Sequence, residues 1–135
     1  MSGLICMNGS YLLDTNIVIA LFANDTNVLY QLSTAAQVFV PSVVLGELYY
    51  GANKSARSKS NISLIDSFAL KSSVLVCDGE TARHYGRIKD LLRAKGNPIP
   101  ENDIWIAALA KQHHMKLVTR DQHFLSIKEI KVEQW

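Results

Sequence analysis

A chain of 135 residues is sized for one domain and long enough to bury roughly two-thirds of its unfolded surface. Hydrophobic content of 48% with 19% charged residues is that of an ordinary soluble globular fold, and no run of 18 apolar residues offers a membrane span. The net charge of +2 names no partner by itself.

The opening MSGLICM lacks the basic region and long apolar stretch of a secretory signal, and Met7 offers an alternative start. Residues 1–7 are therefore expected to be a short N-terminal extension, and 8–135 a single domain. Cys6 and Cys77 lie far apart in no metal or disulfide motif, so a reduced cytoplasmic location is expected.

Residues 10–14 read as a first strand and 16–23 as a helix, followed by a second helical stretch over 28–36 and the short buried strand VFV at 38–40. Pro41 and Ser42 open a helix over 42–52 with Ser42 as its expected N-cap. Another amphipathic helix is expected over 56–71, then a strand over 74–76. Ala82, Tyr85, Ile88, Leu91 and Leu92 carry the helical period over 80–95, and Gly96 stops it. The proline-punctuated NPIPEND leads into the helix IWIAALAKQHH; KLVT at 116–119 is a strand, HFL a short helical turn, and IKVEQW holds the last strand. Strands alternating with helices predict an α/β fold with a parallel sheet.

Three acids fall where such a sheet places ligands, at strand carboxyl ends or helix N-termini. Asp14 ends the first strand, Asp103 lies in the first turn of the helix after NPIP, and Asp121 follows KLVT. Each singly has a structural explanation as a helix cap or a complement to the helix dipole. Glu47 does not. It sits past the first turn of its helix on a mostly apolar face, among Val43, Val44, Leu48 and Gly51, with no base three or four residues away. A buried charge without a partner costs several kcal/mol, so Glu47 must meet a metal, a distant cation or a proton. Four carboxylates gathered at one edge would repel one another unless a hard cation joined them, and Mg²⁺ or Mn²⁺ suits all-oxygen ligation. Such ions activate water and stabilise charge on a phosphoryl group.

Other chemistries fit less well. There is no GxxxxGK[ST] loop. His84, His113, His114 and His123 show no zinc spacing and read as surface or boundary residues. A phosphoacceptor receiver would pair an acid such as Asp78 with a lysine after a later strand, which KLVT does not supply. With the four candidate acids set aside, 14 basic residues face eight acidic ones, a balance suited to a nuclease but equally to scattered surface charge. Arg83 and Arg87, one turn apart, are candidates for phosphate contact or for a solvated face.

YLLDTN at 11–16, PSVVLGELYYGA at 41–52, NPIPENDIWIAALA at 97–110 and LVTRDQHF at 117–124 together resemble a PIN-domain ribonuclease, specifically a VapC-type toxin of a toxin–antitoxin pair. The likeness runs from Ser10 to the closing VEQW. It implies a PIN-like fold, a central parallel sheet flanked by α-helices, and a homodimer. It also implies a Mg²⁺- or Mn²⁺-dependent endoribonuclease acting on RNA through metal-activated water and neutralised by a small VapB-like antitoxin. The family's acidic quartet maps onto Asp14, Glu47, Asp103 and Asp121, with Asp14 and Asp103 as the main metal ligands. Asn16 and Thr119 would steady that shell by hydrogen bonds, and Glu101 is an extra acid beside it. Two other readings stay open: an RNA-processing PIN nuclease without an antitoxin, and a metal-binding interaction module without turnover. The 42–52 and 56–71 helices carry Leu45, Leu48, Tyr49, Tyr50, Ile62, Ile65 and Phe68, more apolar surface than one small sheet covers, in keeping with a dimer.

Overall fold

The structure, a computed structural model, describes residues 9–135; the expected extension at 1–7, Cys6 and the choice between Met1 and Met7 lie outside the described residues. Five strands form one sheet in the order β3-β2-β1-β4-β5, with every neighbouring pair parallel. In chain order the elements are β1 (Ser10–Leu13), α1 (Thr15–Phe22), α2 (Thr26–Thr34), β2 (Gln37–Pro41), α3 (Ser42–Asn53) and α4 (Ser58–Lys71). There follow β3 (Ser73–Leu75), α5 (Gly79–Ala94), α6 (Glu101–His113), β4 (Lys116–Val118), a 3₁₀ turn (Gln122–Ser126) and β5 (Lys131–Glu133). Helical crossovers join the first four strands, as parallel pairing requires. The expected α/β architecture with a central parallel sheet is present.

The core explains the placement of its edges. Leu12, Leu13, Leu117 and Val118 are fully or almost fully buried in the two central strands, each such leucine contributing about 1.5–3 kcal/mol. Helix α6 is apolar all round: Ile104, Ile106, Ala107, Ala108, Leu109 and Ala110 are all buried, the pattern of a helix inside a core rather than on it. It packs on α5, and α3 on α4. Strand order reverses between β1 and β4, so the crevice at their carboxyl ends is the expected ligand position.

Several expected boundaries move by one to three residues, and caps account for most of it. Asp25 accepts the Asn27 and Val28 N–H groups and so starts α2 at Thr26 rather than 28. Asp78 forms a reciprocal capping box with Thr81, starting α5 at Gly79. Ser42 is not the N-cap of α3. Pro41 holds that position without any side-chain cap, because β2 runs directly into the helix and leaves Ser42 as its first turn. Gly96 does end the α5 region, with φ of 67°. Leu48 and Ile65 are buried within the chain, and Leu45, Tyr49, Ile62 and Phe68 pack against the core. Helices α3 and α4 thus close much of the core themselves, leaving Tyr50 and Leu64 exposed.

Candidate active site

Asp14 leaves the sheet at the end of β1 and caps α1, Thr15 N–H donating to its Oδ1 at 2.8 Å. Its other oxygen, Oδ2, accepts from the Thr119 hydroxyl at 2.8 Å and from Asn16 Nδ2 at 3.2 Å. Thr119 Oγ1 also accepts the Asp121 N–H at 3.0 Å, and Asn16 Oδ1 accepts the Arg120 N–H at 3.1 Å. Asn16 and Thr119 therefore tie the carboxyl end of β1 to that of β4, which fixes the Asp14 carboxylate relative to Asp121. Asp121 occupies the N-cap position of the 3₁₀ turn, yet its carboxylate makes no capping bond.

Asp14, Asn16 and Asp121 line one cavity of about 500 Å³. Asp14, Glu47, Asp103 and Asp121 all face it, joined by Thr15, Asn16, Ile19, Glu101 and His123 among others, with no Lys or Arg among the lining residues. Four carboxylates from the ends of β1 and β4 and from helices α3 and α6 are thereby brought together across more than 100 residues of sequence.

Their electrostatics reflect this crowding. Burial pushes the Asp14 carboxyl above its ordinary range; the bonds from Thr119 and Thr15 oppose the rise, and the negative charges of Asp103 and Asp121 add to it. Asp103 rises for the same primary reason, burial, against the pull of His123. Glu47 also rises through burial, reinforced by Asp14, Asp103 and Asp121. The expectation of a partnerless Glu47 needs correcting: it is half-buried, and the Thr15 hydroxyl donates to its Oε1 at 3.1 Å. That partner sits on another helix, 32 residues away, where helical spacing cannot reveal it.

Glu101 lines the cavity but is engaged elsewhere. The Lys89 ammonium and the Tyr85 hydroxyl both donate to it, holding its carboxyl below the usual range. Arg83 and Arg87 do not line the cavity: Arg83 pairs with Glu80 at 3.4 Å, and Arg87 with Glu129.

Reading the sequence missed His123. Its Nε2 lies 2.6 Å from Asp103 Oδ2, and it can offer a ligand atom alongside Asp103 and Asp121, the three lying within 4.8 Å of one another. The one available sequence signal was its position two residues after a candidate acid. Oxygen-rich donors, raised carboxyl pKa values and a cavity with no Lys or Arg lining fit a divalent cation, which would relieve the repulsion that burial intensifies.

Comparison with known proteins bears on the family and the fold. The family model of the PIN domain matches residues 11–130. Ribonuclease VapC2 of Haemophilus influenzae is 36% identical over 128 residues, covering 93% of this chain and 97% of that protein. The tRNA(fMet)-specific endonuclease VapC of Salmonella typhimurium is 32% identical over 129 residues, with the same coverage. Among solved structures, the VapBC2 complex of Rickettsia felis bound to a promoter DNA fragment superposes with a TM-score of 0.88 at 29% identity, over 93% of this chain and 98% of that one. A motif match, near-full-length relatives and the same fold converge: the chain belongs to the PIN-domain family and, within it, to the VapC ribonucleases.

Proposed function

We propose that this protein is the toxin of a toxin–antitoxin pair, a Mg²⁺- or Mn²⁺-dependent endoribonuclease acting in the cytoplasm. The observation that carries this reading is the cavity in which Asp14, Glu47, Asp103 and Asp121 converge with no Lys or Arg in the lining. Asp14 and Asp103, the two most buried of the four, are the main metal ligands; Glu47 and Asp121 complete the set. A divalent ion held there supplies an activated water and a counter-charge for the phosphoryl group. Asn16 and Thr119 hold the Asp14 carboxylate in one orientation, which keeps the ligand set pre-organised. Glu101, tied to Lys89, supports the rim, and Arg83 and Arg87 contribute at most long-range attraction to RNA. The described residues, 9–135, read as one PIN domain, most of it within the stretch that the family model matches. Because a Salmonella relative is named for tRNA(fMet), tRNA is the first substrate to try, beside single-stranded RNA. Cleavage should need added Mg²⁺ or Mn²⁺, and cutting that persists in excess EDTA sinks the proposal.

A VapB-like antitoxin would neutralise the enzyme by placing a basic side chain, most suitably Arg, among the four carboxylates. A guanidinium relieves their repulsion and binds carboxylate bidentately. Beside the acids lies an apolar hollow of about 220 Å³ between α1, α3 and α4, lined by Ile19, Phe22, Leu48, Ala52, Leu64 and Ile65 and sharing Glu47 with the metal cavity. It offers a seat for the rest of the inhibitory segment. Inhibition should weaken as Mg²⁺ rises, since cation and Arg compete for the same oxygens; inhibition indifferent to Mg²⁺ counts against direct occupation. Exposed Tyr50 is in keeping with a homodimer, for which light scattering at micromolar concentration is the measurement.

A further inference from the structure

We propose that His123 is a nitrogen ligand of the metal centre, and that it tilts the site toward Mn²⁺ over Mg²⁺. The inference rests on the metallonuclease reading and adds to it a residue and an ion preference.

The imidazole is held where a ligand must be. Phe124, fully buried, anchors the 3₁₀ turn, and the His123 ring leans on it with centroids 4.9 Å apart. Ser126 Oγ donates to the His123 carbonyl at 2.7 Å, closing the turn behind the ring. Nε2 then points at Asp103 Oδ2, 2.6 Å away. The Asp121 carboxylate, which makes no cap, completes a trio whose donor atoms lie within 4.8 Å of one another. Asp103, Asp121 and His123 would together hold one divalent cation, supplying two carboxylate oxygens and one nitrogen. As a ligand, the imidazole would bind through Nε2, the ring nitrogen nearest Asp103.

The other histidines do not compete for this role. His84 sits beside Arg87, and His113 and His114 close the far end of α6 from Asp103. Among the described residues, His123 is the histidine in the cavity lining.

A mixed nitrogen and oxygen set changes the ion's identity. Mg²⁺ is hard, gives up water reluctantly and gains little from imidazole. Mn²⁺ takes the same carboxylates and, as a first-row transition ion, bonds a neutral imidazole more readily than Mg²⁺ does. An all-carboxylate site would discriminate less.

Electron spin-echo modulation on the Mn²⁺-loaded full chain reads the bond directly. The native protein should show ¹⁴N coupling from a directly bound imidazole, and His123→Ala should lose it. Calorimetric titration with each ion should show the preference for Mn²⁺ over Mg²⁺ falling by about tenfold in His123→Ala. His123→Gln, which can still hydrogen-bond Asp103, should behave like His123→Ala if ligation matters and like the native protein if only the hydrogen bond does. Mn²⁺ that binds the native chain without ¹⁴N coupling overturns the inference while leaving the metallonuclease reading intact. The native measurement decides even if a variant fails to fold. If ¹⁴N coupling is present but loaded protein leaves RNA uncut, the ligand assignment stands and the nuclease reading fails.

Discussion

Two sets of carboxylates in this molecule respond to folding in opposite directions. At the carboxyl edge of the sheet, Asp14, Glu47 and Asp103 are pushed above their ordinary range, with burial as the largest cause in each. Around the periphery, Asp25, Asp78, Glu101 and Glu129 are held below it by Arg120, the Thr81 N–H, Lys89 and Arg87 respectively. The residue types are the same; the partners differ. Peripheral acids receive donors from the chain itself and stabilise helix starts and helix–helix contacts. The edge acids instead share a cavity with no Lys or Arg in its lining, the kind of environment in which perturbed carboxyl groups mark a candidate site.

The sharpest way to break this contrast is to neutralise an edge acid. Asp14→Asn or Asp103→Asn should lower RNA cleavage by about a thousandfold or more, because each removes a charge that would hold the cation. Circular dichroism should show the fold retained. A variant cutting RNA at near-native rate would mean that the edge acids are merely crowded.

Stability against pH separates the two sets next. For Asp14, Glu47 and Asp103 the folded protein binds the proton more tightly than the unfolded chain does. Their contribution favours folding below the unfolded carboxyl pKa and is lost as pH rises through the raised folded values. For the peripheral acids the sign reverses: their contribution is present above the unfolded pKa and is lost as pH falls through the depressed folded values. Metal-free protein at neutral pH is thus strained at one edge, and Mg²⁺ or Mn²⁺ should raise its melting temperature. Glu47→Gln, which keeps an oxygen for the Thr15 hydroxyl, should melt higher than the native chain without metal at pH 7, and the gap should close near pH 4. Calorimetry showing a lower metal-free melting point for Glu47→Gln would reverse the assignment of strain.

A peripheral acid should do the opposite. Asp78→Ala removes the capping box of α5 together with the bond that Gln112 donates to Asp78 at 2.9 Å. Its melting temperature should fall by a few degrees while cleavage stays within about twofold, since Asp78 does not line the cavity.

The sheet and its helices were legible because hydrophobic period and turn chemistry act locally. Leu12 and Leu13 ahead of Asp14, and Leu117 and Val118 ahead of Thr119, mark the two central strands directly. The four acids were legible singly by position, and as a set through the family likeness. Two things were not. Thr15 and Glu47 meet across α1 and α3, a contact set by helix packing and invisible to helical spacing. His123 meets Asp103 across 20 residues of sequence, from a 3₁₀ turn whose Phe124 is fully buried, and helical or strand spacing does not reveal that contact. Misplacing the α3 cap on Ser42 had a similar cause, since a strand running straight into a helix leaves no capping residue between them.

Glu101 is where the contrast becomes finest, because it belongs to both regions. It lines the cavity with the edge acids, yet Lys89 and Tyr85 hold its carboxyl down as they would a peripheral one. Tyr85 is itself stacked on Trp105, with ring centroids 4.1 Å apart, so the clamp on Glu101 is built on the α5–α6 contact rather than on the four edge acids. A carboxylate already satisfied by an ammonium and a hydroxyl has little charge left to offer a cation. Glu101→Gln should therefore lower kcat by less than about threefold and leave Mn²⁺ affinity almost unchanged, a surface ion pair being worth little by itself. If instead the variant loses Mn²⁺ affinity as steeply as Asp103→Asn, Lys89 releases Glu101 when the ion arrives, and the boundary between the two sets must be drawn on the other side of this residue.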